Sequence, residues 1–84
     1  MIATPITVDL GKVLDVRHIA LLVREASQYN SQVYIQVDDR KINAKSIMGM
    51  MSLNLLEGEN ITVLTEGEDE QKAAEGIKVF LVSL

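Results

Sequence analysis

The sequence predicts an α+β fold, an open-faced two-layer sandwich in which a four-stranded antiparallel sheet is covered on one face by three helices. Three observations predict it. Apolar residues alternate at period two along strand-like stretches, apolar residues recur at helical spacing in the first and last helices, and the elements run strand, helix, two strands, helix, strand, helix. Strands joined by a short turn favour antiparallel pairing, and three helices then have one sheet face to cover.

The first strand is read over Ile2 to Leu10, where Ile6, Val8 and Leu10 alternate with Thr7 and Asp9, before Gly11-Lys12 breaks the pattern. From Asp15 the period changes. Ile19, Leu22, Val23 and Ala26 fall at i, i+3, i+4 and i+7, one face of a helix, while Arg17, Arg24, Glu25 and Gln28 occupy other faces. Asn30-Ser31 ends that helix, and Val33, Ile35 and Val37 mark a second strand. Asp38-Asp39 reads as a tight turn into a short third strand, Arg40 to Ala44. Ile47 to Leu53 is Met-rich and long enough for about two turns of helix. Met50 and Leu53 are expected to point to the core, with Ile47, Met48 and Met51 on another face. Glu57 to Asn60 is read as a loop and Ile61 to Leu64 as the fourth strand. Ala73, Ile77, Phe80, Leu81 and Leu84 define a terminal helix, for which Asp69 is the expected N-cap.

Composition narrows the function classes. A chain of 84 residues is one domain, 1–84, with no room for a linker and a second core. Apolar residues make up 48% of it, and the aromatics are Phe80, Tyr29 and Tyr34 alone, so the core must be aliphatic and Met-rich. The absence of cysteine removes disulfides and thiolate metal sites and fits a reducing cytosol, hence an expected cytoplasmic location. No apolar run approaches the roughly 20 residues of a membrane span, and no basic segment precedes an apolar one as in a secretory leader. A net charge of −4 argues against direct nucleic-acid binding, which depends on neutralising phosphates. Nothing suggests a metal, nucleotide or organic cofactor.

Residue chemistry singles out two places. Ser46 stands where the short helix begins, after Lys45, so its hydroxyl can cap a backbone N–H. A phosphate there would add about −1.5 to −2 charges to a helix N-terminus, a tolerated position, and change the surface without unfolding the chain. Ile47, Met48 and Met51 beside it form an apolar patch of the kind flexible Met side chains make for partners, unless they are simply core. The other place is the start of the first helix. Asp15 reads first as an N-cap.

The block Asn43 to Leu53, with Lys45-Ser46-Ile47-Met48-Gly49-Met50-Met51 at its centre, resembles the regulatory-serine segment of HPr proteins of the bacterial sugar phosphotransferase system from low-GC Gram-positive bacteria. Glu66 to Ala73 is similar to the entry of that family's last helix, and Ile6 to Ala26 to its opening strand and helix. The resemblance runs almost end to end and implies the HPr-like sandwich already derived. The family's carrier site reads His-x-Arg-Pro, and the aligned residues here are Asp15-Val16-Arg17-His18. Arg17 is retained, but the phosphocarrier histidine is replaced by Asp15. Neutral imidazole is a nitrogen nucleophile near pH 7, whereas Asp15 is an anion before any phosphate arrives.

The resemblance therefore implies no enzyme and no carrier, but a regulatory phosphoprotein. Ser46 would be the target of an HPr kinase/phosphorylase, and the phosphorylated chain would bind a catabolite control repressor through Arg17, Lys45 and the Ile47, Met48 and Met51 patch. It is similar in logic to the Crh subgroup, which keeps this serine and lacks the carrier histidine, although Asp15 stands where that subgroup usually has glutamine. That subgroup also implies a homodimer by strand exchange. Two alternatives stay open: a phosphocarrier using Asp15 or His18, and a scaffold domain modified at neither place.

Overall fold

The computed structural model describes residues 1–7, 16–37, 39–51 and 60–82, with the backbone alone described at 16 and 51. Its elements are β1 (Ile2–Thr7), α1 (Val16–Ser27), β2 (Gln32–Val37), β3 (Arg40–Asn43), α2 (Ile47–Met51), β4 (Asn60–Glu66) and α3 (Glu70–Val82). The four strands form one sheet in the order β1-β4-β2-β3, every neighbour antiparallel. The predicted fold class is the observed one. Val8, Leu10, Gly11, Asp38, Leu53, Glu57 and Leu84 lie outside the described residues.

Register explains why one face is dry. Ile6 opposes Ile61, and Ile35 opposes Val63 on β4 and Ile42 on β3. Ile6, Ile35, Ile61 and Val63 form one buried layer with Val33 and Val37, and Ile42 is partly buried against it. The helical stripe read from the sequence supplies the second layer: Ile19, Leu22, Val23 and Ala26 of α1 are buried, as are Ala73, Ile77 and Leu81 of α3, with Phe80 partly buried against them. On the opposite face Ala3, Leu64, Tyr34 and Asn43 line up across the strands, and Lys41 Nζ lies 4.5 Å from the centroid of the Tyr34 ring.

Two boundaries move, those of the third and fourth strands. The third strand ends at Asn43, yet Ala44 N still donates to Val33 O at 2.9 Å. The second helix is described through Met51. The fourth strand runs two residues past Leu64, to Glu66. Thr65, a polar residue just beyond the strand end that periodicity predicts, is fully buried because its Oγ1 donates to Glu70 O at 3.0 Å.

Asp69 stands at the expected N-cap, and its carboxylate has partners the sequence does not announce. Its backbone occupies the N-cap position of α3, since Ala73 N donates to Asp69 O at 2.9 Å. Its carboxylate does not close on its own helix. It accepts instead from Asn30 N at 3.0 Å, from Ser31 N at 2.9 Å and from the Ser31 hydroxyl. A charged acceptor satisfies two backbone donors and a buried hydroxyl better than solvent can, so it ties the start of α3 to the turn between α1 and β2. Those bonds, the Ser31 hydroxyl first and Asn30 N–H second, hold the Asp69 carboxyl below its usual value of 3.8.

The sign of the resulting pH dependence follows. A depressed carboxyl contributes stability that is fully present above the unfolded-state value and is lost as pH falls through the folded-state value. Urea titrations of the wild type between neutral pH and pH 2 are expected to show an acid decline. Asp69→Asn should start lower at neutral pH and decline less. Parallel declines in the two proteins would remove Asp69 as a source of acid lability.

Candidate functional site at the start of the short helix

The turn before α2 is built by side chains that compete with regular structure. Asn43 Oδ1 accepts from Lys45 N at 2.9 Å, and Asn43 O accepts from Ser46 N at 3.1 Å, so β3 turns sharply after its last residue. Ser46 then begins the helix. Its carbonyl accepts from Met50 N at 2.9 Å, and its Oγ accepts from Gly49 N at 3.2 Å. That is the N-cap geometry expected from the sequence. A Cβ at Gly49 would lie 3.4 Å from Ser46 Oγ and 3.3 Å from Ile42 Cγ2, so glycine there leaves the capping hydroxyl room.

Lys45 is half-buried, and its Nζ donates to Tyr29 O at 2.7 Å, just beyond the C-terminus of α1. This bond places a cation at the negative end of that helix and fixes the segment that carries Ser46. Tyr29 is itself anchored, with its hydroxyl donating to Glu25 Oε2 at 2.9 Å. Burial and then that carboxylate raise the phenol above its ordinary pKa of 10.0.

The apolar residues divide sharply. Met50 is completely buried, whereas Ile47 is 49% exposed and Met48 85% exposed. A five-residue helix has too little perimeter to bury every apolar side chain, and among its described side chains the one that packs inward is Met50, as expected. The side chain of Met51 and all of Asp15 lie outside the described residues. Arg17 is exposed in the first turn of α1, and His18 beside it is half-buried. Lys45, Ser46, Ile47 and Met48 are thus brought together on one turn, and Arg17 and His18 sit at the start of a helix that packs against α2.

Sequence reasoning passes over Leu21, Val79 and Val82, which are apolar residues exposed at the surface. Leu21 of α1 is 45% exposed. The signal for it is present, because Leu21 falls off the Ile19, Leu22, Val23 and Ala26 face and no inward position remains for it. Among the described residues no group of His, Cys, Asp and Glu could hold a metal ion. No described helix is long and apolar enough to cross a membrane.

Four antiparallel strands and three helices, with Ser46 capping the short second helix beside the exposed Ile47 and Met48, define a small open-faced sandwich. The family model described as PTS HPr component phosphorylation site matches residues 2–83, and the chain belongs to the HPr family. Among its relatives, the HPr-like protein Crh of Halalkalibacterium halodurans is 44% identical over 81 residues, covering 96% of each chain. The HPr-like protein Crh of Bacillus subtilis is 41% identical over 81 residues, covering 96% of this chain and 95% of the relative. Of solved structures, HPr-C-His from Thermoanaerobacter tengcongensis superposes with a TM-score of 0.91 at 36% identity, covering 99% of this chain and 93% of that one. Crystalline Crh from Bacillus subtilis, an intertwined, swapped dimer, superposes with a TM-score of 0.78 at 38% identity, covering 93% of this chain and 85% of that one.

Proposed function

We propose that this protein is a cytoplasmic regulatory module of carbon catabolite control, switched by phosphorylation of Ser46. An HPr kinase/phosphorylase would modify it, and a catabolite control repressor would bind the modified form. One observation carries the reading: the Ser46 hydroxyl caps α2 at the edge of a surface where Ile47 and Met48 are exposed. A phosphoryl group on a helix N-cap is electrostatically tolerated, so the chain can change its surface and keep its fold. A charged group next to exposed apolar side chains then offers a partner both a polar anchor and a desolvated surface. Lys45, Ile47, Met48, Met51 and Arg17 are the residues assigned to that interface.

The relatives that carry the name Crh support the regulatory reading over the carrier one, and so does Asp15. A carboxylate in the carrier histidine's place repels an incoming phosphoryl group and has no neutral nitrogen to receive it. The swapped Crh dimer supports a homodimer by strand exchange here too. β1 suits that role because, among the described strands, it pairs on one side only, with β4.

Incubation with an HPr kinase/phosphorylase and ATP, followed by intact-mass measurement, tests the switch. One phosphate is expected on the wild type and none on Ser46→Ala, which should also lose about 1 kcal/mol of stability with its cap. Addition that survives Ser46→Ala would move the modification elsewhere, and no addition to the wild type would favour an unmodified scaffold. A parallel incubation with Enzyme I and labelled phosphoenolpyruvate should leave the chain unlabelled. Label lost on Asp15→Ala or His18→Ala would restore the phosphocarrier reading.

A further inference from the structure

We propose that Met48 is a reversible oxidation site through which a peroxide switches off the docking surface beside Ser46; the effect on docking rests on the function proposed above. The chain has no cysteine, so its peroxide-reactive sulfurs are thioethers. Those described differ in access. Met50 is completely buried and reaches an oxidant only when the fold opens, whereas Met48, two residues away, is 85% exposed, more than the 65% of Met1. Exposure governs thioether oxidation, so Met48 should react from the native state and Met50 should not.

The step balances with hydrogen peroxide as oxidant. A sulfur lone pair of Met48 attacks one peroxide oxygen, the O–O bond breaks, and the departing hydroxide takes the remaining proton to leave as water. The thioether loses two electrons and becomes the sulfoxide, and the peroxide gains them. Because Met48 contributes almost nothing to the core while Met50 seats the helix, the fold survives the change. The surface does not. A sulfoxide is a strong hydrogen-bond acceptor on what was an apolar side chain, and burying it against an apolar partner surface leaves that acceptor unsatisfied. The consequence is selective: the Ser46 cap and its phosphate are untouched, and the apolar half of the recognition surface is lost. Methionine sulfoxide reductases would restore it.

The test treats the Ser46-phosphorylated full chain with hydrogen peroxide, locates the added oxygen by fragment-ion mass spectrometry, and measures affinity for the repressor before and after. Met48 should be oxidised while Met50 stays reduced, with a Tm shift below about 4 °C. Affinity should fall about tenfold to a hundredfold and return after reductase treatment. The same treatment should leave the affinity of Met48→Leu at its own untreated value, which separates Met48 from every other oxidised methionine. Oxidation of Met50 ahead of Met48, or equal binding before and after complete Met48 oxidation, overturns the switch alone. Failure of the untreated phosphorylated chain to bind overturns the function proposed above and the switch with it.

Discussion

Gly67→Ala is expected to destabilise the protein by about 2–4 kcal/mol, a fall in Tm of more than about 10 °C for a domain of this size. Gly67 joins the end of β4 to the start of α3 with φ +150°, a backbone conformation that side chains rarely adopt. It is also where two chain segments nearly touch. An added Cβ would lie 2.7 Å from Ser31 Cα, 2.7 Å from Ser31 Oγ and 3.0 Å from Ser31 Cβ. The first of these is backbone, so no rotamer change relieves it. Moving Ser31 away would break its bonds to Asp69, and moving Gly67 would break its bond from N–H to Glu70 Oε1 at 3.2 Å. Strain and overpacking therefore add to each other. Thermal unfolding followed by circular dichroism checks the expectation, with Ser31→Gly combined with Gly67→Ala as the second arm. The double variant removes the clashes with the Ser31 side chain but leaves the clash with the backbone at residue 31, so it should recover only part of the loss. Full recovery would mean that side chains alone cause the conflict, and a single variant as stable as the wild type would mean that no conflict exists.

This junction also shows where sequence reading stops. Periodicity is a local property, so the faces of α1 and β2 are legible: Ile19, Leu22, Val23, Ala26, Val33, Ile35 and Val37 are all buried as their spacing predicts. The Ser46 cap is legible for the same reason, because donor and acceptor are three residues apart. The same rule applied to Asp69 finds its backbone role and misses the partners of its carboxylate. The turn it binds lies 38 and 39 residues earlier in the chain, and nothing in the local pattern points there. Lys45 Nζ reaches Tyr29 O across 16 residues, a bond that charge and spacing do not announce. Thr65 looks like the end of a strand because it is polar; it is buried because α3 begins where a carbonyl can accept its proton. Local pattern thus locates the site as a cap with an apolar neighbourhood, while the bonds that hold the site in place come from tertiary structure.

The second large effect separates two methionines of one short helix. Met50→Ala is expected to cost about 2–4 kcal/mol, and Met48→Ala less than about 0.5 kcal/mol. A five-residue helix cannot offset its own nucleation entropy, so α2 persists only where tertiary packing holds it. Met50 is the fully buried side chain of that helix among those described, and it joins the core formed by α1 and the sheet. Truncating it leaves a cavity under α2, and the helix can then leave its seat without further loss of burial. Met48 has no such partner to lose. Urea denaturation of the two variants measures the global cost. Amide hydrogen exchange at Gly49 and Met50, whose N–H groups bond to Ser46, reports whether the helix opens locally. Faster exchange at both amides is expected in Met50→Ala and wild-type exchange in Met48→Ala. Equal losses of stability would mean that the helix is held by something other than Met50. With the cap opened, Ser46 also leaves the geometry in which its phosphate would be presented. Met50→Ala should therefore weaken any recognition of phosphorylated Ser46 from a position that a partner never touches.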